Sequence, residues 1–115
     1  MAVLKRAEKQ GVLISDLKIA TRFIDRGWGL LGHSELPENQ ALWIHQCQSI
    51  HTFFMKFAID CVFLTSDLKI KALYRDVQPW KMIWPVWGAS SVIEMKSGSI
   101  DRLGLALGEV LHVGT

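Results

Sequence analysis

The run Ile59-Asp60-Cys61-Val62-Phe63-Leu64 is the segment that most limits the folds open to this chain. Side chains alternate across a strand, so Ile59, Cys61 and Phe63 fall on one face and Val62 and Leu64 on the other. Both faces are apolar, and a strand of that kind must be covered above and below. The sheet that holds it therefore sits between two layers. Asp60 enters the same strand, and an ionised carboxylate there needs a cation or several N–H donors.

The rest of the chain supports a small β-rich domain. At 115 residues it has the usual size for one hydrophobic core. A chain of this length buries roughly two-thirds of its unfolded surface, so folding needs no disulfide or metal staple. Half of the residues are apolar and 21% are charged, which excludes intrinsic disorder. The apolar stretches are too short to cross a bilayer, and the expectation is a protein without a membrane partner. Charges at Lys5, Arg6, Glu8 and Lys9 occupy the place where an export signal needs an apolar core, so a cytoplasmic location is expected. Cys47 and Cys61 are then thiols. A net charge of +2, with acids and bases interspersed, argues against a nucleic-acid surface.

Along the chain, residues 1–11 read as an N-terminal extension with freedom to be flexible, and residues 12–115 as a single globular domain. Residues 12–20 suggest an opening strand or short pair. Thr21 can cap a helix with Phe23, Gly27, Leu30 and Leu31 on one face, ending at Gly32. Residues 34–40, with Pro37 and Asn39, form a loop. Strand signals follow at 41–47, 51–57, 59–65, 69–77 and 91–96, with a turn at Ser66-Asp67. A short helix or turn from Ser97 stops at Gly104, and a last strand covers 109–113. The sum is an α+β, β-rich domain: a curved antiparallel sheet or half-open β-barrel with two short helices.

Several elements line up in order: Gly29-Leu30-Leu31, Ala41-Leu42-Trp43-Ile44, Ile50-His51-Thr52 with Met55, and the 59–64 run. Val92-Ile93-Glu94-Met95 with Gly98, Gly104 and Gly108 completes them. Together they resemble the uncharacterised bacterial and archaeal family called domain of unknown function 192, over about residues 19–113. The resemblance implies a compact β-rich fold with a short helix near each end. It implies no established activity, cofactor or catalytic residue. Leu31 stands where the family often has Met, and His33 where a basic residue is common. Many relatives carry an export signal, and the charges within residues 5–9 lead us to expect none here.

Three groups of residues invite a functional reading. His45, Cys47, His51 and Cys61 are of the type that binds tetrahedral zinc, but their spacing matches no paired-ligand pattern. Buried thiols and hydrogen-bonded imidazoles account for them better, and neither a metal nor another cofactor is expected. The second group is Cys47, His51, Met55, Lys56 and Asp60, with Thr52 among them. A His–Asp or Lys–Asp pair could move protons, and Cys47 beside His51 could form an activated thiolate. Against that, Asp commonly ties turns to strands, and no oxyanion-hole glycine motif accompanies the cysteine. The third group is Trp80, Met82, Trp84 and Trp87. Three of the five tryptophans fall within residues 80–87, with Pro79 before them and Pro85 among them, and prolines disfavour helix and central strand. Such a segment either seals the end of the core or offers a sticky face.

The leading expectation is a small non-catalytic binding domain that uses the Trp-rich loop and the adjacent polar turn. Its partner would be a protein or small molecule, with self-association through the loop as a variant. The alternative is a small hydrolase or metal-assisted enzyme using Cys47, His51 and Asp60.

Overall fold

The computed structural model describes residues 2–8, 11–20, 35–53 and 55–115. The strands are β1 (Ala2–Arg6), β2 (Val12–Ala20), β3 (Gln40–His45), β4 (Ile50–His51) and β5 (Ile59–Leu64). They continue with β6 (Ile70–Val77), β7 (Met82–Ile83), β8 (Ser91–Lys96) and β9 (Leu111–Gly114). One short helix, α1 (Ser99–Leu103), precedes the last strand. The helix expected after Thr21 lies outside the described residues, as do Leu31 and His33.

Seven strands form one sheet in the order β6-β5-β8-β3-β2-β1-β9. All neighbours are antiparallel except β2 and β3, which run parallel from Asp16 opposite Gln40 to Ala20 opposite Ile44. The sheet is therefore mixed, where the strand pattern predicted an antiparallel one. It is not closed into a barrel either. Its edges β6 and β9 meet at one corner, where Ile70 N–H donates to Glu109 O at 2.8 Å and Leu111 N–H to Leu68 O at 2.9 Å. Beyond that corner β6 and β9 each have only one strand neighbour among the described residues. Strand alternation cannot reveal either feature, because direction and closure depend on how distant strands are joined.

The two layers required by β5 are present. All six of its residues are buried. One core contains Ile59, Cys61 and Phe63 with Leu42, Ile44 and Val92, and it is covered by Ile50, Met55 and Ile83. The other contains Val62 and Leu64 with Ile93, Met95, Leu4 and Ile14, and it is closed by Ile100 and Leu105 around the helix. Phe63 is fully buried and packs edge-on against Tyr74, with ring centroids 5.7 Å apart.

The N-terminal segment is part of this architecture, not an extension. β1 lies between β2 and β9, and Leu4 is fully buried. Its short Val3-Leu4 pair is too brief for periodicity to expose. Arg6 ties the strand down: it forms an ion pair with Glu109 and donates to Leu103 O and, at 3.0 Å, to Gly104 O. A guanidinium on the last carbonyls of a helix is well placed electrostatically. Arg6→Ala is expected to cost about 2 kcal/mol of stability, read as a lower urea midpoint.

The expected strand over 51–57 is reduced to Ile50–His51. Thr52 starts a turn, with Met55 N–H donating to Thr52 O at 3.2 Å. Among the described residues β4 pairs only with β7, as a two-stranded ribbon laid over the first core.

Candidate functional site

Thr52 organises the ribbon end. It is fully buried, and every polar group it owns is used. Its N–H donates to Lys81 O at 2.8 Å, and its carbonyl accepts from Trp80 N–H at 3.0 Å. Its hydroxyl donates to Gln78 O at 2.6 Å and accepts from Lys81 N–H at 2.8 Å. This clamp holds the backbone of Trp80 in the left-handed region, at φ 66°. That conformation is costly for a bulky side chain and persists where surrounding bonds enforce it. Trp80→Gly should therefore be more stable than Trp80→Ala by about 1 kcal/mol, since both lose the indole and only Gly relieves the backbone. Equal unfolding midpoints for the two variants would remove the strain argument.

The strained turn has a visible consequence. The Trp80 ring stacks on Phe53 at 5.9 Å between centroids, and Phe53 stacks on His51 at 4.8 Å. Beyond Trp80 the chain alternates: Met82 points out, Ile83 enters the core and Trp84 points out. Val86 packs partly against the same core, and its N–H donates to Gln48 O at 2.8 Å. Trp80, Met82, Trp84 and Trp87 remain 59%, 57%, 79% and 83% exposed. The prolines and the Ile83 anchor thus set a loop whose large apolar side chains face solvent.

Beside the loop, the 46–49 segment separates two shallow clefts. One, of about 340 Å³, is lined by His45, Cys47, His51 and Met82 among others. The second, of about 490 Å³, lies between Cys47, Pro85 and Ala89. Cys47 borders both, and its thiol donates to Ser49 O at 2.8 Å. Met55 lies beneath in the core, and Lys56 is exposed on the turn that Thr52 begins.

Asp60 is elsewhere. It alternates with Val62 and Leu64, so its carboxylate points into the second layer, across the sheet from Met55. There Oδ1 accepts from Asp76 N–H at 2.8 Å, and Oδ2 accepts from Gly98 and Ile100 N–H at 3.1 and 2.8 Å. It joins the end of β6 to the start of α1. The expected grouping of His51, Lys56 and Asp60 around one turn does not form. Nor do His45, Cys47, His51 and Cys61: Cys61 is buried within the sheet, and no three His, Cys, Asp or Glu side chains among the described residues form a metal cage.

Two features had no place among the expected sites. Phe53 was an unremarkable apolar residue in the sequence, yet it links His51 to Trp80. Glu94 is fully buried on β8, opposite Leu42 on one side and Cys61 on the other. Its signal in sequence is a lone acid inside Val92-Ile93-Glu94-Met95. Trp43 and His45 lie with their ring centroids 4.1 Å apart at the end of β3, opposite Ile93 and Ser91.

The arrangement can be set beside known proteins. The family model for DUF192, described as an uncharacterized ACR, matches residues 3–113. The chain belongs to that family. A UPF0127 protein of Thermococcus sibiricus is 41% identical over 61 residues, covering 53% of this chain and 39% of its own length. The chain thus matches well under half of that relative. A UPF0127 protein of Pyrococcus furiosus is 28% identical over 102 residues, covering 84% of this chain and 85% of that protein. A solved structure from Sinorhizobium meliloti, of a proposed transcription regulator, has a TM-score of 0.79. It is 19% identical and covers 97% of this chain and 91% of that one, so it shows the shared fold and nothing further. The family has no established function, and the resemblance carried by the 59–64 run and the glycines of the C-terminal third is confirmed. No helix among the described residues is long and apolar enough to cross a membrane.

Proposed function

We propose that this DUF192 protein is a non-catalytic binding domain whose recognition surface is the 80–87 loop, with the His51–Phe53 turn at its base. The observation that carries the reading is the solvent exposure of Trp80, Met82, Trp84 and Trp87 on a backbone pinned by Thr52 and Ile83. Four large apolar side chains left exposed on one short loop mark an interaction site. A fixed backbone lowers the entropy lost when the patch is covered. The catalytic alternative loses its third member, because the Asp60 carboxylate is committed to backbone N–H groups in the other layer.

The test is the double variant Trp84→Ala, Trp87→Ala with bis-ANS as an apolar probe. Its unfolding free energy is expected to stay within about 0.5 kcal/mol of the parent. Bis-ANS binding should fall at least several-fold. Unfolding of the variant would make the indoles core, and unchanged dye binding would place the apolar surface elsewhere; either result ends the reading.

A further inference from the structure

We propose that the 80–87 loop docks this protein onto the interfacial region of an anionic lipid bilayer, with Trp84 and Trp87 as the inserting side chains. This rests on the reading of the loop as a recognition surface and names what it recognises. No apolar stretch of the chain is long enough to span a bilayer, but lying on one makes no such demand on length.

The indoles of Trp84 and Trp87 are presented edge and face to solvent. A platform for stacking bases or sugars holds one ring face against the protein, as Phe53 holds Trp80. Trp84 and Trp87 are far more exposed than that, at 79% and 83%, so most of both indoles stands in solvent. They alternate with the aliphatic side chain of Met82 and with Pro85. An indole has an apolar body and a polar N–H, and it is favoured where hydrocarbon meets headgroups.

Residues 45–58 and 78–90, which build this end of the molecule, contain no Asp or Glu, although the chain has 11. They contain Lys56 and Lys81, both exposed. A third lysine arrives from β6: the Cε of Lys71 is 3.3 Å from the position a Cβ would take at Gly88, directly after Trp87. Gly88 has φ +88°, so the turn that brings the loop back beside Lys71 suits glycine. Lys56 and Lys81 on these segments and Lys71 beside Gly88 give the loop end positive charge, the two segments themselves carry no carboxylate, and such charge complements anionic headgroups. Binding of this type adds buried apolar area to attraction for the charged surface.

The experiment is co-sedimentation of the full chain with vesicles of phosphatidylcholine alone and of phosphatidylcholine with phosphatidylglycerol, at low and high salt. Tryptophan emission is recorded in parallel. Binding is expected to the anionic vesicles, with a blue shift of the emission. Trp84→Ala should weaken it about tenfold or more. Lys71→Gln with Lys81→Gln should reduce the preference for anionic vesicles by about fivefold per lysine, while the blue shift of the bound fraction remains. Absence of binding to anionic vesicles at low salt, with bis-ANS binding still dependent on Trp84, would overturn the lipid proposal and leave the recognition surface standing. Loss of the dye dependence as well would remove both. Tighter, Trp80-dependent binding to an oligothymidylate than to vesicles would overturn it in favour of single-stranded nucleic acid. A dimer in sedimentation velocity that dissociates on Trp84→Ala, without vesicle binding, would overturn it in favour of self-association.

Discussion

Asp60→Ala is expected to lower the free energy of unfolding by about 4 kcal/mol. The side chain is fully buried and accepts three backbone hydrogen bonds, from Asp76, Gly98 and Ile100. Removing it strands those donors, each of which loses water on folding and has no second acceptor supplied by alanine. Two of the bound segments are themselves tight: Asp76 has φ 51° and Gly98 φ 94°. The Ser97 hydroxyl adds a bond to the Asp76 carboxylate at 2.6 Å, so the strand end and the helix start form one knot. Asp60→Asn keeps one acceptor oxygen and should lose about half as much. Urea unfolding followed by circular dichroism reads the effect as a shift in midpoint at constant slope. A loss below about 1 kcal/mol would show that the carboxylate is not the tie described. A stable Asp60→Ala that failed to bind vesicles or dye would return Asp60 to the functional site.

Thr52→Val comes next, at about 3 kcal/mol. Valine preserves the volume of threonine, so no cavity enters the argument. What disappears is the hydroxyl that accepts from Lys81 N–H and donates to Gln78 O. Both backbone groups then face a methyl. The same bonds keep Trp80 in its left-handed backbone conformation, so the His51–Phe53–Trp80 stack should loosen. The near-ultraviolet circular dichroism of the folded variant should weaken accordingly, while Thr52→Ser restores most of both signals. Vesicle binding should weaken too, although Thr52 has no exposed surface, because the loop loses its fixed shape. An unaltered aromatic signal in Thr52→Val would separate the stack from the clamp.

Much of the architecture was legible because burial is written as alternation. The 59–64 run required two layers and has them. Residues 12–20 and 91–96 became strands at those bounds, and Gly104 stops the helix in a left-handed conformation, at φ 66°. The misreadings have a common cause. Residues 51–57 look like a strand because aromatic and β-branched side chains are frequent there, but Thr52 spends its hydrogen bonds on residues 78–81. Long-range bonding overrode local propensity. Asp60 followed the same rule. Its neighbours in sequence are His51 and Lys56, whereas its partners are 16, 38 and 40 residues away.

The sequence by itself determined that the central strand is buried on both faces, that three tryptophans cluster around Pro79 and Pro85, and which family the chain belongs to. These are properties of residue type and spacing, which composition and alternation carry. Tertiary structure alone decided which face Asp60 serves, that β1 enters the sheet, and that the indoles of Trp84 and Trp87 stand in solvent. Those outcomes depend on contacts between segments far apart in the chain. Sequence could say that the loop was too apolar to ignore; only the fold, by placing Ile83 inward and Lys71 beside Gly88, left its tryptophans outside with a lysine next to the turn that follows them.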